Sequence, residues 1–236
     1  MYMYNGYYGA VSFDWTYILL IVAMLLSMFA SLKVNSTYSK YSKVAAKCGL
    51  TAEMAVEKVL QANGVRGVGI GRIKGHLTDN YNPKTNCISL SDSVYGKSSI
   101  AAIGVACHEA GHAVQHAKEY GPAKLRLSMV PVTGISSKFS MIILVLGFVL
   151  GFMELIWIGI ALFSVTTAFQ LVTLPTEFDA SRRAIKALEG QGIMDASELK
   201  GTKKVLSAAA LTYVAALAVS VLTLLRYVAM ANRRRD

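Results

Sequence analysis

The chain has 236 residues, of which 54% are hydrophobic and only 16% charged. That is too apolar and too poor in charge for an ordinary soluble domain. The formal net charge is +10, but no basic stripe is interleaved with aromatics, which argues against a nucleic-acid partner.

The distribution of charge says more than its total. Of 24 Lys and Arg, 14 lie between Lys33 and Lys138 and 6 between Arg182 and Lys204; the other 4 are Arg226, Arg233, Arg234 and Arg235. Charged segments separated by apolar ones, basic on one side, are the layout of a membrane protein. Cys48, Cys87 and Cys107 are odd in number and form no C-x-x-C. They predict buried reduced thiols rather than a disulfide framework or a cysteine-based zinc site.

Residues 1–14 are rich in Tyr and Gly and carry no basic residue, unlike the start of a secretory signal peptide. Residues 15–32 run without charge for long enough to span a bilayer, which takes ~17–25 residues. Lys33, Lys40, Lys43 and Lys47 follow, so the positive-inside tendency puts the N-terminus outside and residue 33 onward in the cytoplasm. Residues 35–48 read as a separate basic helix along the membrane surface.

Thr51 and Gly64 bracket a helix, Thr51 as N-cap, with Met54, Val56, Val59 and Leu60 as its apolar stripe. Residues 65–74 alternate Val, Gly and Ile and predict a strand. Their Gly-x-Gly-x-Gly lacks dinucleotide spacing. His76–Pro83 reads as a turn-rich loop, and Cys87–Leu90 as a short strand. Two readings of that strand stand: a plain core strand, or one to which a substrate backbone is added. Gly96-Lys97-Ser98 resembles the tail of a phosphate-binding loop, but Ser91 stands where the pattern needs Gly, so no nucleotide site is expected.

Ser98 or Ser99 caps a helix from about Ile100 through His116. It carries Cys107-His108-Glu109-Ala110-Gly111-His112-Ala113-Val114-Gln115-His116, and these ten residues hold three of the chain's four histidines. His108 and His112, one turn apart, face the same way. Two neutral imidazoles at that spacing can grip one zinc ion, with Glu109 beside it to take a proton from bound water. His116 is about 12 Å from His108 along a straight helix at ~1.5 Å per residue, too far to share the ion. It reads as a supporting or surface histidine.

Residues 139–174 are apolar apart from Glu154. That is too long for one span and rather short for two. With Gly147, Gly151 and Glu154 marking a turn, a hairpin of spans 139–153 and 155–174 is expected. A catalytic zinc takes three protein ligands and leaves one position for water. The best-placed third ligand is Glu177, where the chain leaves the hairpin and starts a polar helix; His76 is a weaker alternative. Glu177 shares a side of the membrane with His108 only if the hairpin is real.

Asp179 and Ser181 admit two readings of equal weight: support for a ligand histidine, or, through Thr176-x-x-Asp179, a capping box. Arg182 or Arg183 is the candidate oxyanion stabiliser, with Tyr81, Tyr120 and His76 as rivals. Residues 205–228 form a fourth span. That topology leaves Arg233, Arg234 and Arg235 outside, against the positive-inside tendency.

His-Glu-Ala-Gly-His-Ala with Glu-Phe-Asp-Ala-Ser-Arg-Arg-Ala downstream resembles a family of membrane zinc metallopeptidases, the bacterial YugP-type neutral zinc metallopeptidases. The resemblance extends over Asn82-Pro83, Leu90-Ser91 and nearly the whole chain. More distantly the chain is similar to HtpX-type heat-shock proteases and CAAX-prenyl endopeptidases. In those families a transmembrane hairpin separates the two histidines from a glutamate ligand, which implies His108, His112 and Glu177 as ligands and Glu109 as the catalytic residue. Their glutamate is usually followed four residues later by an aspartate; here that position is Ser181.

The resulting expectation is a mainly α, integral membrane protein with about four transmembrane helices and a small cytoplasmic α+β zincin-like catalytic domain. Its parts are an anchor (1–32), a catalytic segment (33–138), the hairpin (139–174), a cytoplasmic segment with the third ligand (175–204) and a last span with a basic tail (205–236). It would be a one-zinc metalloendopeptidase of the gluzincin type in the plasma membrane, its site cytoplasmic. Expected partners are a peptide or membrane-protein substrate and the lipid bilayer; a homo-oligomer or a regulatory membrane partner is left open. The rival from another class is a scaffold or adaptor with a structural metal, closed by a fourth ligand from His76 or His116. A channel or transporter is disfavoured, because Glu154 alone is charged well inside an apolar segment.

Overall fold

The structure is a computed structural model and describes residues 16–235. The Tyr- and Gly-rich start, with the location expected for it, and Trp15 lie outside the described residues, as does Asp236. Six helices and three strands follow in chain order: α1 (Thr16–Tyr41), α2 (Ala52–Ala62), β1 (Gly69–Ile73), β2 (Asn80–Asn82), β3 (Cys87–Ser91), α3 (Ile100–Ala117), α4 (Gly121–Leu150), α5 (Met153–Gly190) and α6 (Ala196–Arg235). Helices α1, α4, α5 and α6 are long and apolar enough to cross a membrane. Side chains such as Phe139, Ile142, Val145 and Val149 stand exposed on α4, as hydrocarbon contact would require.

The basic segment after Lys33 is not a separate surface helix. Helix α1 continues to Tyr41, because nothing between Leu32 and Tyr41 breaks it. Tyr38 is buried there and its hydroxyl donates to the Ser93 carbonyl at 2.7 Å. The chain then turns, and Ala45 bridges Ser99. Lys47 ties this turn to the start of α6 through Asp195 at 2.6 Å and, by its backbone N–H, through Glu198 at 2.7 Å.

Thr51 caps α2 by accepting from the Met54 N–H, and Gly64 follows with a left-handed φ of 70°. Val56, Val59 and Leu60 are buried as the stripe requires, whereas Met54 is exposed. The sheet order is β1-β3-β2, with β1 parallel and β2 antiparallel to β3. The His76–Pro83 segment therefore contains a strand that its turn-rich composition concealed. Both edges of β3 are hydrogen-bonded, so no substrate strand can add to it; it is a core strand, with Ile88 and Leu90 fully buried. These pack with Ile103, Val114 and Leu188 in one core shared by α2, α3, β3 and the polar ends of α5 and α6.

The apolar hairpin exists, and its turn is at Gly151, with a left-handed φ of 78°. Helix α4 begins well before residue 139, at Gly121, and α5 runs on past Pro175 and Glu177 to Gly190. Likewise the composition change near residue 204 falls inside the continuous α6. Helices α4 and α5 approach closely where they lack side chains. A Cβ on Gly147 would lie 2.8 Å from the Ile156 backbone nitrogen, and one on Gly159 would lie 3.0 Å from that of Leu144. At this crossing, Leu144, Ile156, Ile160 and Tyr227 form a second buried cluster that also includes α6.

The crossing predicts that Gly147→Leu destabilises the hairpin by about 1–3 kcal/mol through overpacking. Thermal unfolding of the full chain in detergent measures this; an unchanged midpoint would show that the helices are not held at this distance.

Candidate metal centre

The centre is built where α3 crosses α5. Ser99 caps α3 by accepting from the Ala102 N–H, and the small residues Ala101, Ala102, Ala106 and Ala110 are all fully buried. The helix therefore lies deep, with the His108–His112 face turned to α5. The approach is closest at Gly111, where a Cβ would stand 2.4 Å from the Ala180 carbonyl oxygen. No side chain fits there.

This contact brings Glu177, 69 residues from His108, against both imidazoles. Glu177 Oε2 is 3.2 Å from His108 Nε2 and 3.5 Å from His112 Nε2. One donor atom from each of the three residues fits within 4.8 Å, and the group could hold a metal ion. Glu177 is only 2% exposed. A carboxylate buried to that degree needs positive charge or hydrogen bonds around it, and Arg126 Nη1 approaches its other oxygen at 3.4 Å.

The residues behind the histidines decide which ring nitrogens face the cluster. Gln115, almost fully buried, donates its amide to the Thr176 carbonyl at 2.8 Å and to Asp179 Oδ2 at 2.9 Å. With both N–H groups spent on acceptors, the amide is oriented. Its Oε1 is left to accept from His112 Nδ1 at 3.0 Å. His112 therefore carries a proton on Nδ1, which leaves Nε2 as the atom that would face a metal ion. Ser181 Oγ lies 3.0 Å from His108 Nδ1 and fixes the orientation of that ring. This donor set fits a divalent zinc: neutral imidazole nitrogens, one carboxylate and outer hydrogen bonds orienting the rings.

Asp179, through Gln115, and Ser181 thus brace the two histidines of the cluster. The capping-box alternative fails because Thr176 is in mid-helix, its hydroxyl donating back to the Val172 carbonyl. Gln115 lies in the same ten-residue stretch as the histidine pair, and its sequence context alone gives it no role. Its spacing three residues after His112 is the signal that could have marked it.

Glu109 is 8% exposed and borders a cleft of about 730 Å³, with His112, Tyr81, His116, Arg126 and Tyr213. Burial pushes its carboxyl above the ordinary range, against the pull of His108 and His112. His116 does not join the metal group; its Nδ1 lies 3.1 Å from the Tyr81 hydroxyl. His76 packs edge-on against Tyr38. Among the rivals for the oxyanion, Arg183 is bound to Asp179 at 2.5 Å and lies over the Tyr120 ring. Arg182 lines a different groove, between α5 and α6. Of the residues expected for that role only Tyr81 lines the cleft, whereas Arg126 on α4 and Tyr213 on α6, neither singled out from sequence, also do.

Two outcomes follow for the centre. Gln115→Ala should weaken metal binding by roughly 10–100-fold, as removal of a group that orients a ligand does, read by competition against a chelator. Gly111→Ala should lower metal content with helix content retained by circular dichroism, because the added methyl pushes α3 from α5; full metal occupancy would contradict the contact.

A family model described as "Putative neutral zinc metallopeptidase" matches residues 16–232. The "Putative membrane protease YugP" of Bacillus subtilis (strain 168) is 44% identical over 218 residues, which cover 92% of this chain and 97% of that protein. No solved structure matches the chain. With its histidine pair and distant glutamate brought together by two crossing helices, the chain belongs to the putative neutral zinc metallopeptidase family.

Proposed function

We propose that the chain is a membrane-embedded zinc metalloendopeptidase of the gluzincin type, holding one zinc on His108, His112 and Glu177. The observation that carries this is the three-residue cluster itself. No fourth His, Cys, Asp or Glu joins it among the described residues, and a catalytic zinc keeps one position open where a structural one is closed. The scaffold reading needs His76 or His116 as fourth ligand, and both are engaged elsewhere.

When bound, the ion polarises a scissile carbonyl and lowers the pKa of its water. Glu109 accepts the water's proton and passes it to the leaving amine. Its burial beside the two ligand histidines supports that role. Tyr213, whose side chain lies near both Glu177 and Glu109, and Arg126 supply donors for the developing oxyanion.

The substrate is a peptide segment of a membrane protein, or a peptide close to the bilayer. Two features of the cleft support this. Strand β2 borders it and pairs on one side only, with β3, so its free edge can take an extended backbone. Leu127, Val130 and Pro131 of α4 line the opposite wall and continue into the apolar part of that helix. The location is the plasma membrane with the site on the cytoplasmic side, supported by the lysines that follow the first apolar run. The segments 33–138 and 175–204 then form the cytoplasmic catalytic part, divided by the hairpin 139–174 and flanked by the spans in 1–32 and 205–236.

Glu109→Gln should keep zinc and lose proteolysis, measured by metal analysis beside a peptidase assay; retained proteolysis would refute the mechanism. Glu177→Ala should lose the metal. Tyr213→Phe should lower kcat by ~10²-fold at unchanged zinc content if it stabilises the oxyanion.

A further inference from the structure

A second built surface lies on the other side of α6 from the catalytic cleft. Helices α1 and α6 pack along each other and leave a groove of about 690 Å³. From α1 it is lined by Lys33, Thr37 and Lys40, a stripe at helical spacing; from α6 it is lined by Lys203, Lys204 and Ser207. No carboxylate lines it, and none of these four lysines forms an ion pair among the described residues. Ala208 and Leu211 of α6 supply its apolar lining. Below Lys33, at steps of three and four residues on the same face of α1, the side chains of Phe29, Leu26 and Val22 stand exposed.

The sequence places this groove at one depth. Residues 16–32 of α1 and 205–225 of α6 carry no charge, so the lysines sit where both helices leave the apolar layer. Four ammonium groups and the hydroxyls of Ser36, Thr37, Tyr41 and Ser207 stand above an apolar track. That order matches a phosphodiester headgroup with acyl chains beneath it.

We propose that the α1–α6 groove is a binding site for an anionic phospholipid, its phosphate held by Lys33, Lys40, Lys203 and Lys204 and its chains lying along Phe29, Leu26 and Val22. The charge complementarity commits the site to a lipid of the surrounding bilayer. The proposal rests on the membrane placement above but not on proteolysis.

The test is native mass spectrometry of the full chain in detergent, titrated with phosphatidylglycerol or phosphatidylcholine. Phosphatidylglycerol should be retained in preference. Lys33→Gln/Lys203→Gln should lose roughly fivefold of that retention per lysine, at about the strength of one basic residue near an anionic membrane surface. The control Lys58→Gln/Lys118→Gln, remote from the groove, should lose none. Circular dichroism shows that each variant is folded. Equal retention of both lipids would overturn the proposal. So would equal loss in the control, or displacement of the lipid by millimolar inorganic phosphate, which would make the groove a free-anion site. Whether the chain fractionates with membranes tests the placement separately.

Discussion

Everything about the centre depends on how closely α3 can approach α5. A glycine at position 111 lets the helix backbones touch at Ala180. Without that contact, a carboxylate on one helix and two imidazoles on the other could not share a volume less than 5 Å across. The contact also buries Glu177. In the low dielectric of the interior an unpaired carboxylate is costly, and one facing two imidazoles and a guanidinium is not. The burial of Glu177 and its approach to the two histidines are therefore two consequences of one packing event.

The same crossing aligns the outer residues. Glu177, Asp179 and Ser181 follow one another on α5 at spacings that cannot all serve one histidine. The helix instead divides them. Ser181 reaches His108 directly, whereas Asp179 reaches His112 only through the Gln115 amide. Asp179 also holds Arg183, which balances its charge. Continuity of α5 through Pro175 is what makes this possible. A helix interior tolerates proline only at a cost of ~3 kcal/mol, and here the tertiary contacts of Thr176 and Glu177 outweigh it.

The hairpin performs the other half of the work. It carries the chain through a long apolar excursion and returns it beside α3. Its closure relies on glycines at the α4–α5 crossing and on a left-handed turn at Gly151. The helices continue beyond their apolar stretches at both ends, so the parts that would contact lipid and the parts that build the centre are the same rigid rods.

Much of this was legible in the residues. The H-E-x-x-H spacing, the N-caps at Thr51 and Ser99, the four apolar runs and the hairpin logic that selected Glu177 all follow from periodicity, capping chemistry and the length a bilayer demands. These signals are local, or depend only on counting residues through a slab. Residue order could not decide where helices continue, because composition changes at 32, 174 and 204 look like boundaries even when the backbone hydrogen bonds run on unbroken. Nor could it find β2, too short and polar to show a period, or the roles of Gln115, Arg126 and Tyr213. Those side chains acquire meaning only when helices distant in sequence are packed against each other, and that packing is a property of the tertiary structure alone.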